Sequence, residues 1–223
     1  RSPSRGLGDV YKRQAIHCAL EQGKKVFYTT PLKALSNQKY NDFSEKYGID
    51  KVGLLTGDTS INRGAQIVVM TTEVFRNMLY GTNFGSVTDN LKNVKYVILD
   101  EVHYMNDEQR GTVWEESIIY CPTNVQIVAL SATVANADKL TEWINTVHSR
   151  TELINTDFRP VPLRFYYFDS SQPNTLLPLL TPNGTLNKKI KPEKKEFKRG
   201  KAVQKRNLSL IHISEPTRRT PIS

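Results

Sequence analysis

The sequence predicts an α/β fold: a mostly parallel sheet with helices on both faces. Three observations predict it. Short apolar runs rich in β-branched residues recur, among them Val94–Leu99 (VKYVIL) and Val125–Leu130 (VQIVAL); runs this continuous suit strands covered on both sides. Amphipathic stretches at Leu32–Tyr47 and Asp138–Val147 alternate with them. Finally, the apolar runs end abruptly in carboxylates or hydroxyls, as expected where parallel strands open into a ligand crevice.

Each element follows from its residues. Lys25–Tyr28 (KVFY) feeds Thr29, Thr30 and Pro31, a strand-to-helix junction. Leu54-Leu55 runs into Thr56-Gly57-Asp58, and Val68-Val69-Met70 into Thr71-Thr72-Glu73; each is read as a strand ending in hydroxyls before a helical pattern. Val94–Leu99 ends in Asp100-Glu101-Val102-His103, and the buried run Val125–Leu130 ends in Ser131-Ala132-Thr133. A core strand gains nothing from buried charges, so adjacent carboxylates at its tip point to a ligand such as a Mg²⁺–nucleotide. Asp100 then holds the metal and Glu101 orients or deprotonates the attacking water. An acidic turn capping the next helix fits the tetrapeptide alone equally well. The hydroxyl-bearing junctions line one sheet edge, a row of donors suited to a phosphate backbone; any single one of them also reads as an ordinary helix cap.

Taken together, TTPLKALSNQKY, TGD, MTTEVFRNMLY, LDEVHYMNDEQRGTVWEE and LSATVANADKLTEWI resemble motifs Ia, Ib, Ic, II and III of the DExH helicases, and more narrowly the superkiller-type, exosome-associated RNA helicases. Thr156–Leu163 (TDFRPVPL) resembles that family's crossing from its first to its second RecA-like domain, and TLLPLL with LNKK is most similar to the cyanobacterial and chloroplast branch. The resemblance covers about residues 15–190. It implies a first RecA-like domain over 15–157 and the start of a second over 158–187. It implies ATP and Mg²⁺ as cofactors, bound between the two domains, with Asp100 on the metal, Glu101 on the water and His103 linking the nucleotide to the interdomain cleft. Ser131 and Thr133 would couple hydrolysis to strand separation. Thr30, Pro31, Lys33, Gly57, Thr71, Thr72 and Glu73 would line a single-strand path, gripping sugar and phosphate without reading sequence. By resemblance the partner is RNA and movement is 3′ to 5′; no residue reads the 2′-hydroxyl, so a DNA helicase of the same superfamily stays open.

One part is absent from the sequence. No G-x-x-x-x-G-K-S/T run is present to cradle β- and γ-phosphates. In the family that loop precedes the first helix, and Ala15–Gln22 (AIHCALEQ) looks like the second half of that helix. The ends offer a reason. Asp9–Gln14 (DVYKRQ) can be encoded by GATGTGTATAAGAGACAG, whose reverse complement encodes LSLIHI, the sequence of Leu208–Ile213. One DNA element read on opposite strands flanks the chain, as an inserted transposase-type sequencing adapter would. Residues 1–14 and 208–223 are therefore set apart as non-native scars and left out of the expected fold. The chain is expected to be an N-terminally truncated piece of an ATP-dependent RNA helicase, inactive as an ATPase alone; a non-catalytic nucleic-acid-binding piece is the reading from another class.

Charge supports this division. The 223 residues carry 31 Lys and Arg against 22 Asp and Glu, a net +9. The two tails hold +3 and +1, leaving +5, and the run Lys188–Arg206 holds ten basic and two acidic residues, a net +8. Residues 15–187 are therefore −3, so the basic balance belongs to the tails and one run. That run, within a segment 188–207, reads as a solvated linker or loop able to touch phosphates. Cys18 and Cys121 lie in separate helical patterns without metal-ligand spacing and read as buried free thiols of a reducing compartment. No apolar run reaches the length of a membrane span and no signal peptide is seen, so no membrane partner is expected. The location expected is the cytoplasm of a bacterium, a cyanobacterium in keeping with the branch, or a chloroplast if the source is a plant.

Overall fold

In the computed structural model, residues 7–81, 86–131, 136–156, 164–168, 176–190 and 211–213 are described. In chain order the elements are α1 (Leu7–Glu21), β1 (Lys25–Thr30), α2 (Lys33–Tyr47), β2 (Val52–Leu55), β3 (Ser60–Ile61), β4 (Ile67–Thr71), α3 (Thr72–Leu79), α4 (Val87–Leu91), β5 (Val94–Leu99), α5 (Thr112–Ile119), β6 (Gln126–Ala129), α6 (Ala137–Val147), β7 (Arg164–Phe168), β8 (Leu176–Pro178) and β9 (Ile211–Ile213). They fall into two units, residues 1–157 and 158–223.

The first unit is the expected sheet. Six strands take the order β3-β2-β4-β1-β5-β6, all parallel except β3, which runs antiparallel to β2. Successive side chains of a strand face opposite sides, and both sides are apolar here. Phe27, Val68, Met70, Val97 and Leu99 pack with Phe75, Trp114 and Ile118 of α3 and α5. Val26, Tyr28, Ile67, Val69 and Ile98 pack with Ile16 and Ala19 of α1 and Phe43 of α2. This double coverage explains why the strands read as unbroken apolar runs. The second unit holds a three-stranded antiparallel sheet, β8-β7-β9. Among the described residues, no helix is long and apolar enough to cross a membrane.

Four expectations need correction. Residues 7–14 were left out of the fold, yet α1 begins at Leu7, with Asp9 paired to Lys12 and Arg13 at 2.7 Å. The adapter coding bears on the origin of DVYKRQ, not its conformation; it contains neither Gly nor Pro, so it prolongs a helix readily. Likewise Ile211–Ile213 pairs with β7. After Thr56-Gly57-Asp58 the chain enters β3 rather than a helix, because the turn folds β3 back on β2. Third, Val125–Leu130 is not a buried strand: Val125 is buried, but β6 is half-exposed as the sheet's outer strand. Finally, Cys121 is buried beyond the end of α5, and Cys18 only half-buried. Residues 191–207, most of the basic run, lie outside the described residues.

Candidate nucleotide and nucleic-acid site

The parallel order puts the C-terminal tips of β1, β4, β5 and β6 along one edge of the sheet. β1 is central there, with β4 on one side and β5 on the other; the chain reverses its direction of travel across the sheet at this point, where open α/β sheets form ligand crevices. Asp100 and Glu101 follow β5. The backbone pins them from both sides: the Asp100 amide donates to Thr29 O at 3.0 Å, and Val102 N donates to Leu130 O at 2.9 Å. Glu101 sits in the left-handed region, φ 56° and ψ 45°, a conformation that costs a non-glycine residue about 1–2 kcal/mol.

Three of the expected site residues meet around one nitrogen. His103 Nδ1 is 3.2 Å from Glu101 Oε2 and 3.5 Å from Ser131 Oγ. Thr133 lies outside the described residues. Asp100 uses both oxygens: Oδ1 accepts from the Glu101 amide at 3.0 Å, and Oδ2 accepts from the Tyr28 hydroxyl. Burial and then the Asp100 carboxylate push the Tyr28 phenol far above its usual range. A magnesium ion takes oxygen donors and commonly only one or two carboxylates, the rest being water and phosphate. Asp100 and Glu101 fit that donor set, since each carboxylate oxygen keeps lone pairs beyond its present partners.

The candidate strand path divides into two layers. Thr30, Pro31, Thr71 and Thr72 are buried. Their polar groups knit the sheet edge together: Thr30 Oγ1 lies 2.7 Å from Ser36 Oγ, and Thr72 Oγ1 donates to Thr30 O at 3.2 Å. Lys33 and Gly57 are exposed and Glu73 is half-exposed, so these three present surface. Lys33 Nζ pairs with Asp58 at 3.0 Å, and the Thr56 hydroxyl followed by Lys33 holds the Asp58 carboxyl below its usual range. Glu73 pairs with Arg110.

Tyr28, Asp58 and Arg110 were not singled out from the sequence. Asp58 completes TGD and could have been. Tyr28 and Arg110 reach their partners across 72 and 79 residues of chain, and only the sheet order reveals those approaches.

Residues 10–140 match the model of the DEAD/DEAH box helicase family. The chain is 54% identical over 171 residues to the DExH-box ATP-dependent RNA helicase DExH15, chloroplastic, of Arabidopsis thaliana, covering 76% of this chain and 14% of that protein. It is 53% identical over 149 residues to the probable helicase HelY of Mycobacterium tuberculosis, 67% of this chain and 16% of HelY. It is 49% identical over 160 residues to the exosome RNA helicase MTR4 of Homo sapiens, 71% and 15%. The chain thus spans 14–16% of the length of these relatives.

Proposed function

Because this chain belongs to the DEAD/DEAH box helicase family, we propose that it forms part of the motor of an ATP-dependent RNA helicase, with its nucleotide chemistry at the tip of β5. The observation that carries this is the meeting of Glu101, His103 and Ser131 beside Asp100, within 3.5 Å of one imidazole nitrogen. Glu101 orients the attacking water and accepts its proton. Its left-handed backbone lifts the carboxylate off the strand line toward His103. Asp100 is the residue that would hold Mg²⁺, an ion that neutralises phosphate charge when bound. His103 joins Glu101 to Ser131, so a change at the water is felt by the segment after β6, where Thr133 follows. Lys33 and Gly57 present the surface along which a single strand lies, over a buried layer of Thr30, Pro31, Thr71 and Thr72, with the half-exposed Glu73 paired to Arg110 beside it. Such a grip is on sugar and phosphate and is largely sequence-independent.

The names of the Arabidopsis thaliana and Homo sapiens relatives support RNA over DNA as the partner, and the chloroplast relative and the Mycobacterium one support a bacterial or chloroplast location. In the enzyme carrying this segment, Glu101→Gln is expected to abolish hydrolysis while leaving ATP binding intact; retained turnover removes Glu101 from its role. Equal unwinding of RNA and DNA duplexes by that enzyme would favour the DNA-helicase reading. The 223 residues contain no G-x-x-x-x-G-K-S/T run, which favours a second reading of the chain by itself: nucleic-acid binding without catalysis. On that reading the isolated chain shows no ATPase above background, and robust RNA-stimulated turnover by it excludes the reading.

A further inference from the structure

Arg110 joins three segments that the sequence keeps far apart. Its Nη2 donates to the Pro31 carbonyl at 2.6 Å, just past β1, and to Glu73 Oε1 in the first turn of α3. Its own backbone is fixed: the Asp107 carboxylate accepts from the amides of Gln109 and Arg110 at 3.0 and 2.9 Å. Gly111 follows so closely on the preceding turn that a Cβ there would lie 2.2 Å from Met105 O. Successive backbone bonds link this turn back to Glu101: Gly111 N donates to Asp107 O at 2.8 Å, Asp107 N to Tyr104 O at 3.0 Å and Tyr104 N to Glu101 O at 3.0 Å.

The charge at this place also has a meaning. Glu73 is a half-exposed carboxylate on the edge where an anionic strand would lie, and an uncompensated carboxylate there repels phosphate. We propose that Arg110 is a positioning residue of the nucleic-acid edge: it holds Glu73 neutralised and turned from the strand, and fixes the Pro31 carbonyl, tying both to the segment that bears Glu101 and His103. This rests on the nucleic-acid reading of that edge. Glu73 then acts on the strand through Arg110, not as a direct ligand of ribose or phosphate.

The test is fluorescence anisotropy of a labelled 20-nucleotide uridine RNA with the 223-residue chain, over a series of salt concentrations. The variants are Arg110→Gln, Glu73→Gln and both together, with circular dichroism as a check on folding. Arg110→Gln is expected to weaken binding about five- to ten-fold by unmasking Glu73. Glu73→Gln alone is expected to leave binding unchanged or tighter, and the double variant to return to within about two-fold of the parent chain. The salt slope is expected to stay the same in every variant, because no phosphate contact is removed. A slope reduced by about one in Arg110→Gln, without rescue by Glu73→Gln, overturns the proposal in favour of a direct phosphate contact. Weaker binding by Glu73→Gln alone, with the fold intact, overturns it in favour of a direct Glu73 contact. Unchanged binding by Arg110→Gln overturns the positioning role while leaving the edge itself intact. A parent chain that does not bind RNA removes the underlying nucleic-acid reading, and the proposal with it.

Discussion

The Tyr28 hydroxyl donates to Asp100 Oδ2, joining the middle of β1 to the residue that closes β5. A buried phenol thereby helps set the orientation of a carboxylate at the candidate site. Tyr28→Phe removes that bond and is expected to cost about 1–2 kcal/mol in urea denaturation, the lower figure if water takes the place of the hydroxyl.

The same phenol predicts an alkaline dependence. The folded state holds the Tyr28 proton more tightly than the unfolded chain, whose tyrosine titrates near 10.0. The contribution is therefore full below pH 10 and is lost as pH rises above it. Burial pushes the Cys121 thiol up from 9.0 to about 12, so its contribution is lost between pH 9 and 12. Within its window each group lowers stability by about 1.4 kcal/mol per pH unit. Urea titrations of the parent chain are expected to fall from pH 9, and those of Cys121→Ala only from about pH 10. Identical alkaline profiles for both would exclude Cys121 as a source.

Glu101 offers a test of stored strain. At φ 56°, glycine avoids the left-handed penalty but gives up chain entropy, so Glu101→Gly is expected to stabilise the fold by up to about 1 kcal/mol. Thermal denaturation checks this. A variant less stable than the parent would mean that the bend costs the chain little.

Two glycines should respond oppositely to alanine. At Gly111 the added Cβ meets Met105 O at 2.2 Å and Asp107 O at 2.7 Å, and both are backbone atoms. Gly111→Ala is expected to destabilise by about 2–3 kcal/mol or more. Nothing lies within 4 Å of the corresponding position at Gly57, so Gly57→Ala should stay within about 0.5 kcal/mol of the parent. If a strand lies close over Gly57, that same variant weakens RNA binding without touching stability.

Much of the sheet was legible because a doubly covered parallel strand leaves an unmistakable trace. Ile67–Thr71 is buried throughout, and its first four residues are all apolar. The carboxylates after Leu99 were legible for the complementary reason: charge directly after such a run has no place in a core. Less legible was what depends on neighbours. Val125–Leu130 reads like Val94–Leu99, but only the strand order shows that β6 lies outermost and half-exposed. Thr30 and Thr72 looked like groups offered to a ligand; the fold turns both hydroxyls inward, onto Leu32 O and Ser36 for one and Thr30 O for the other. Arg110 carried no local sign of its role, since its partners arise at Pro31 and Glu73.

The central place of β1 has a consequence for synthesis. Its partners come later in the chain: Val26 pairs with Ile67, and Lys25 with Val94. On a ribosome adding about 5–20 residues per second, β1 waits several seconds before its second neighbour has even been made. Until β4 is made both edges of this apolar strand are open, and one stays open until β5 follows, the condition under which nascent chains mispair or recruit chaperones. The strand followed by Asp100 and Glu101 is also the one that ends this exposure, so the candidate site edge and the completed sheet centre arise in a single step.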